Sequence, residues 1–120
     1  MCSGKVYYDL VEALAQEPAK RSQIAITRIE QFYPFAEEAL KDELARYQNA
    51  QDVLWVQEEP KNMGGWHFIK ERIDELLEGI HGECNKFIKY VGRQARASTA
   101  TGSAKVHQKE QDALIKKALT

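Results

Sequence analysis

The residues able to do chemistry in this chain fall into a few small groups. Glu58-Glu59-Pro60 follows the apolar run Val53-Leu54-Trp55-Val56, and the carboxyl end of a strand is where open α/β sheets place their sites. Paired carboxylates divide acid and base roles when their environments split their pKa values. Successive strand residues point to opposite faces, however, so Glu58 and Glu59 are not automatically a dyad, and positioning, capping or an interface role fits them too. His67 and Glu71 stand four apart on a predicted helix, a spacing that offers two ligands to a metal. No third ligand accompanies them, and His81 and His107 belong to other segments, so a solvated pair is the plainer expectation. Cys2 and Cys84 are far apart and form no CxxC; without a recognisable base beside either, they read as reduced thiols.

Anion binding has more to recommend it. Asn62-Met63-Gly64-Gly65 and Thr101-Gly102-Ser103 each precede a predicted helix, whose N-terminus offers free N–H groups and a favourable dipole. Neither is a P-loop or a GxGxxG, and a glycine turn with a Ser or Asn cap is the plainer expectation for both. Arg93 and Arg96 lie in an acid-free stretch from Gly92 to Ser103, and Arg28 lies near the end of an earlier β-rich segment. Arginine carries the planar fork that phosphate matches. These arginines are therefore the candidate ligand-binding residues, the alternative being that they pair with Glu30, Glu58 or Glu59 and merely fix the loop. Phe32, Tyr33 and Phe35 around Pro34 are either core or an exposed anchor for a partner.

The elements that must position these groups follow from periodicity. Val6, Leu10, Val11 and Leu14 predict a helix over about 5–16, closed by Pro18. Residues 23–29 are rich in β-branched types and predict a strand. Pro34 suits a first helical position, and Phe35, Leu40, Leu44 and Tyr47 carry the helix that follows. Val53 to Val56 predicts a strand covered on both faces. Trp66, Ile69, Ile73, Leu76, Leu77 and Ile80 form the strongest amphipathic pattern. Residues 87–91 predict another strand, and a last helix begins near Ser103. Alternating helices and strands imply an α/β domain with a mainly parallel sheet and right-handed crossovers. Three strands are few for such a sheet. A further strand before Cys2, with Ser3-Gly4 as its turn into the first helix, would complete the pattern, and the chain reads as one domain cut from something longer.

Composition narrows the function classes. With 43% hydrophobic and 29% charged residues, the 120-residue chain is of ordinary globular character. At this size roughly two thirds of the unfolded surface is buried, enough for a core without metal or disulfide. Seventeen basic against eighteen acidic residues give a net charge of −1 with the signs interspersed, which offers no broad field to nucleic acid or anionic lipid. No apolar run reaches the roughly 20 residues of a membrane span, and the N-terminus lacks the pattern of a signal peptide.

Five blocks resemble, in order and from end to end, the C-terminal region of 2-oxoglutarate dehydrogenase, the decarboxylating component of its complex. They are Cys2-Ser-Gly-Lys-Val-Tyr-Tyr-Asp-Leu10, Arg28-Ile-Glu-Gln-Phe-Tyr-Pro-Phe35, Gln57-Glu-Glu-Pro-Lys-Asn-Met-Gly-Gly-Trp66, Tyr90-Val-Gly-Arg93 and Thr101-Gly-Ser-Ala-Lys-Val-His-Gln-Lys-Glu-Gln111. Departures are small: Ala36 stands where a proline often follows Tyr-Pro-Phe, and Gln94-Ala-Arg96 where Pro-Ala-Ser is common. The resemblance implies a transketolase C-terminal-domain-like three-layer sandwich, a mainly parallel sheet with helices on both faces and its first strand truncated. It implies packing against the preceding domains and a homodimer partner. It also implies a parent enzyme that uses thiamine diphosphate and magnesium to decarboxylate 2-oxoglutarate and pass a succinyl group to a lipoyl-bearing succinyltransferase in the tricarboxylic acid cycle. In that family the cofactor and catalytic histidines sit on preceding domains, so no catalytic, cofactor-binding or metal residue is expected here. Bacterial members respond to AMP or acetyl-CoA, which gives Arg28, Arg93 and Arg96 a candidate effector. The same domain of a 2-oxoadipate-type dehydrogenase or a 2-oxoglutarate decarboxylase is the nearest alternative, because substrate choice is made elsewhere. A free-standing receiver-like module is the more distant one, as the acidic residues of a phosphoacceptor site are missing. Location follows the family, the bacterial cytoplasm or the mitochondrial matrix.

Overall fold

The structure is a computed structural model, and it describes residues 1–81, 87–98 and 102–120. Helix α1 (Val6–Ala15) is followed by α2 (Glu37–Ala45), strand β1 (Leu54–Pro60), α3 (Trp66–His81), strand β2 (Lys89–Arg93) and α4 (Ala104–Ala118). β1 and β2 pair in parallel, so the chain between them must cross over, and α3 makes that crossover. The predicted helix over 5–16, the apolar strand and the amphipathic helix from Trp66 all form.

The predicted strand over 23–29 does not form as a regular element. Of that segment only Arg28 enters a bridge, with Cys2, and Cys2 in turn bridges Val56. The backbone of Met1 and Cys2 is threaded between the two neighbours. Cys2 N–H donates to Thr27 C=O at 3.0 Å, Ile29 N–H to Cys2 C=O at 2.8 Å, and Val56 N–H to Met1 C=O at 2.8 Å. The lateral order is thus Arg28, Cys2, β1, β2. Pro34 also departs from expectation: it follows a cis peptide, and α2 begins three residues later at Glu37. Glu37 and Glu38 in its first turn complement the helix dipole.

Helices cover both faces, as the α/β reading requires. On one face Leu40, Leu44, Trp55, Trp66, Ile69, Ile73 and Leu77 pack together from α2, β1 and α3. On the other, Cys2, Val6, Leu10, Val56, Val91, Leu114 and Leu119 join the sheet to α1 and α4. Consecutive Trp55 and Val56 enter opposite cores, which is why the run is apolar without alternation. Each fully buried Ile or Leu contributes about 1.5–3 kcal/mol of transfer free energy, and Ile69, Ile73 and Leu77 are completely inaccessible. Phe32 and Phe35 belong to the first core, stacking on and meeting Phe68 edge-on with ring centroids 5.7 and 6.3 Å apart. Tyr33 between them is 86% exposed, so core and surface divide within four residues.

Candidate functional site

β1 and β2 keep register from Leu54↔Lys89 through Val56↔Val91 and then slip, so that Pro60 faces Arg93. β1 advances from 56 to 60 while β2 advances from 91 to 93. The slip is a bulge of the kind that re-aims side chains. Glu58 and Glu59 thus belong to the strand rather than following it.

Gln57, in the bulge, is the buried hub that residue-type reasoning missed. Its Oε1 accepts from Trp55 Nε1 at 2.8 Å and from the Trp66 backbone N–H at 3.0 Å. Its Nε2 donates to the carbonyls of Pro60 and Met63 at 3.1 and 2.7 Å. One side chain therefore closes the turn from β1 into α3. Gly64 adopts φ +66°, the left-handed region that favours glycine, directly against this amide. The Asn62 to Gly65 segment is thus a turn held from inside, and Asn62 reaches out of it. Asn62 Nδ2 donates to Arg96 C=O at 2.8 Å, and Arg96 N–H donates to Asn62 Oδ1 at 3.0 Å. That reciprocal pair fixes the segment after β2.

Glu58 and Glu59 point to opposite sides and form no dyad. Glu58 reaches the α1/α4 face, where Gln111 Nε2 donates to Glu58 Oε1 and to Asp9 Oδ2, both at 3.0 Å. Arg93, expected in a loop, is the last residue of β2 and only 8% exposed. Its Nη2 donates to Gln111 Oε1 at 3.3 Å and lies 3.1 Å from His107 Nδ1. Its Nε is 3.1 Å from Glu110 Oε2 but is not aligned for a hydrogen bond, and it has no other partner among the described residues. Glu110 also binds Arg96, through Oε1 to Nη2 and through Oε2 to Nη1 at 3.4 Å. Arg93, Arg96, His107, Glu110 and Gln111 are therefore one cluster, built by the end of β2 and the first two turns of α4. His107, set aside in the sequence as an isolated histidine, is part of it. A groove of about 600 Å³ between α1 and α4 takes in His107 and Gln111 of the cluster but neither arginine, and its walls mix acidic Asp9, Glu12 and Asp112 with Lys5 and Lys116.

Arg28 stands apart. Its bridge partner Cys2 lies between it and β1, so three strand spacings, roughly 14 Å, separate it from β2. Its guanidinium binds Glu30, donates to Tyr8 Oη at 3.0 Å and lies over the Tyr7 and Tyr8 rings at 5.3 and 5.1 Å. The Glu30 carboxyl, held by Arg28 and by the Gly4 N–H, sits below the usual glutamate range. The expected pairing with Glu30 is thus present. For Arg93 the partner is Glu110, with Glu58 reached only through Gln111.

His67 and Glu71 are exposed on α3, and no group of three His, Cys, Asp or Glu able to hold a metal occurs among the described residues. Cys2 is fully buried; Cys84 lies outside the described residues, as does Thr101. The cluster at Arg93 is cationic and offers one carboxylate, so it does not fit a magnesium–diphosphate unit, and no chemistry of that kind is assigned to it. No helix is long and apolar enough to cross a membrane among the described residues.

Fold and cluster together define an α/β domain with a two-faced core and two arginines paired with one carboxylate. The sequence profile of the 2-oxoglutarate dehydrogenase C-terminal family matches residues 1–119. The chain is 46% identical over 121 residues to the 2-oxoglutarate dehydrogenase E1 component of Rickettsia felis, with 99% of this chain covered. It is 47% identical over 122 residues to that of Rickettsia typhi and 44% identical over 119 residues to that of Geobacillus kaustophilus. The chain belongs to the 2-oxoglutarate dehydrogenase C-terminal family. It spans 12% of the length of these relatives.

Proposed function

We propose that this chain acts as the C-terminal domain of a 2-oxoglutarate dehydrogenase E1 component, with a structural, dimer-supporting and regulatory role. The observation that carries the reading is the end-to-end family match on a fold whose buried residues are spent on two hydrophobic cores. In this reading the whole protein oxidatively decarboxylates 2-oxoglutarate and transfers a succinyl group to a lipoyl carrier. Thiamine diphosphate and magnesium supply the decarboxylation chemistry from other domains of that protein. This domain contributes packing against the preceding domains and the dimer partner, for which the exposed Tyr8, Tyr33 and Phe87 are suited. The protein works in the bacterial cytoplasm or the mitochondrial matrix.

Arg93 and Arg96 form the proposed effector site for AMP or acetyl-CoA, and Arg28, three strand spacings away and paired with Glu30, lies outside it. What supports the first two is their convergence on one carboxylate. The test of the whole reading is a pair of assays with thiamine diphosphate and magnesium. The full-length protein should decarboxylate 2-oxoglutarate and succinylate a lipoyl domain, and this chain alone should give no turnover above an enzyme-free control. Turnover by the chain alone, or none by the full-length protein, overturns it.

A further inference from the structure

Two guanidiniums, charged at any physiological pH, meet at the single carboxylate of Glu110. The cluster therefore holds one more positive charge than it neutralises. Arg93 is fixed, its side chain 6% exposed, and its Nε–H is shut away from solvent without a hydrogen bond among the described residues. A buried donor without an acceptor is unfavourable and is rare in native structures. Arg93 Nη2 is engaged by Gln111 and His107, while Nε, 3.1 Å from Glu110 Oε2, is not aligned with it for a hydrogen bond. Glu110 and Arg96 are looser, with side chains 22% and 37% exposed, so the carboxylate can swing toward water while Arg93 stays. The carboxylates of Asp9 and Glu58 stand behind Gln111, whose amide N–H groups they share, so that side chain separates them from the arginines.

We propose that Glu110 is an internal occupant of an oxyanion site, holding Arg93 and Arg96 in place of a ligand's phosphate and competing with it. Planar carboxylate reaches both arginines but leaves Arg93 Nε unsatisfied, whereas a phosphate monoester presents three terminal oxygens in a tetrahedron. Such a group can meet the Arg96 fork and the Arg93 Nε–H together. Binding then requires Glu110 to leave, so apparent affinity falls by the fraction of molecules in which it has left. The inference rests on the effector reading of Arg93 and Arg96 above and adds its regulation.

The test is calorimetric titration of AMP, with adenosine as control, into the full-length protein loaded with its cofactor. Glu110→Gln keeps the shape and removes the charge. With the open form populated to about a tenth, it should bind AMP roughly tenfold tighter than wild type and leave adenosine unaffected. Glu110→Asp keeps the charge but shortens the reach, and should gain affinity too, which decides the matter if Glu110→Gln folds poorly. Arg93→Ala and Arg96→Ala should each lose binding. Loss of affinity in the arginine variants with no gain in either Glu110 variant overturns the competition while leaving the effector reading intact. No binding in any variant, or binding that no arginine substitution alters, overturns both.

Discussion

Arg93 Nη2 donates to Gln111 Oε1 at 3.3 Å, and this contact fixes which end of the Gln111 amide faces the neighbouring carboxylates. With its oxygen turned to the guanidinium, the amide presents both N–H groups to Asp9 and Glu58 at 3.0 Å. A neutral side chain thereby separates positive from negative groups and joins β2, α4, α1 and β1.

Gln111→Glu should therefore destabilise the domain although it is nearly isosteric. A carboxylate there cannot donate, so Asp9 and Glu58 lose the N–H groups they share, which costs about 1–3 kcal/mol. Urea denaturation at neutral pH measures it, and a variant as stable as wild type would contradict the account.

Gln57→Ala should cost about 3 kcal/mol or more, because the Trp55 indole N–H and the Trp66 amide lose their shared acceptor in a dry interior. The turn into α3 should loosen with it. Amide hydrogen exchange at Trp66 should rise well before global unfolding.

Gly92→Ala should be poorly tolerated for a steric reason. A Cβ there would lie 2.4 Å from Tyr90 Oη, 2.6 Å from Tyr90 Cζ and 2.8 Å from Gln57 C=O. The ring is not free to retreat, since Tyr90 Oη donates to Arg93 C=O at 2.8 Å and the ring packs on Trp66 at 5.2 Å. Overpacking of this kind costs about 1–3 kcal/mol. Thermal melts of Gly92→Ala and the double variant Gly92→Ala/Tyr90→Phe test the cause, because removing the hydroxyl should recover part of the loss.

Arg28→Ala should move the Glu30 titration upward. Its carboxyl is held below the ordinary glutamate value of 4.5, first by Arg28 and then by the Gly4 N–H. A lowered folded-state pKa supports the native state above the unfolded value, and that support is lost as pH falls through the folded value. Side-chain carboxyl NMR between pH 2 and 6 should show Glu30 titrating nearer the ordinary range in Arg28→Ala. An unmoved midpoint would mean that the ion pair does not set it.

Much of the architecture was legible in the residues. Val6 and Leu10, Leu40 and Leu44, and Ile69, Ile73 and Leu77 recur at helical spacing because each set buries one helix face, so periodicity alone located α1, α2 and α3. The apolar run from Val53 announced a strand with helices on both sides, and the five blocks announced the family. Tertiary structure decided the rest, since it depends on pairings that no local window contains. Residues 23–29 have strand-like composition, but only Arg28 bridges Cys2, because a ladder needs a partner along its length. The site was half legible. Arg93 and Arg96 were picked out as cations in an acid-free stretch, yet their counter-charge, Glu110, lies 17 and 14 residues on in sequence, and one turn of α4 back from it stands His107. Only the packing of α4 on the sheet brings Glu110, His107 and Gln111 onto Arg93, with Gln111 also meeting Glu58. Residue types thus determined which groups were available, and long-range packing, through burial and desolvation, determined which of them meet.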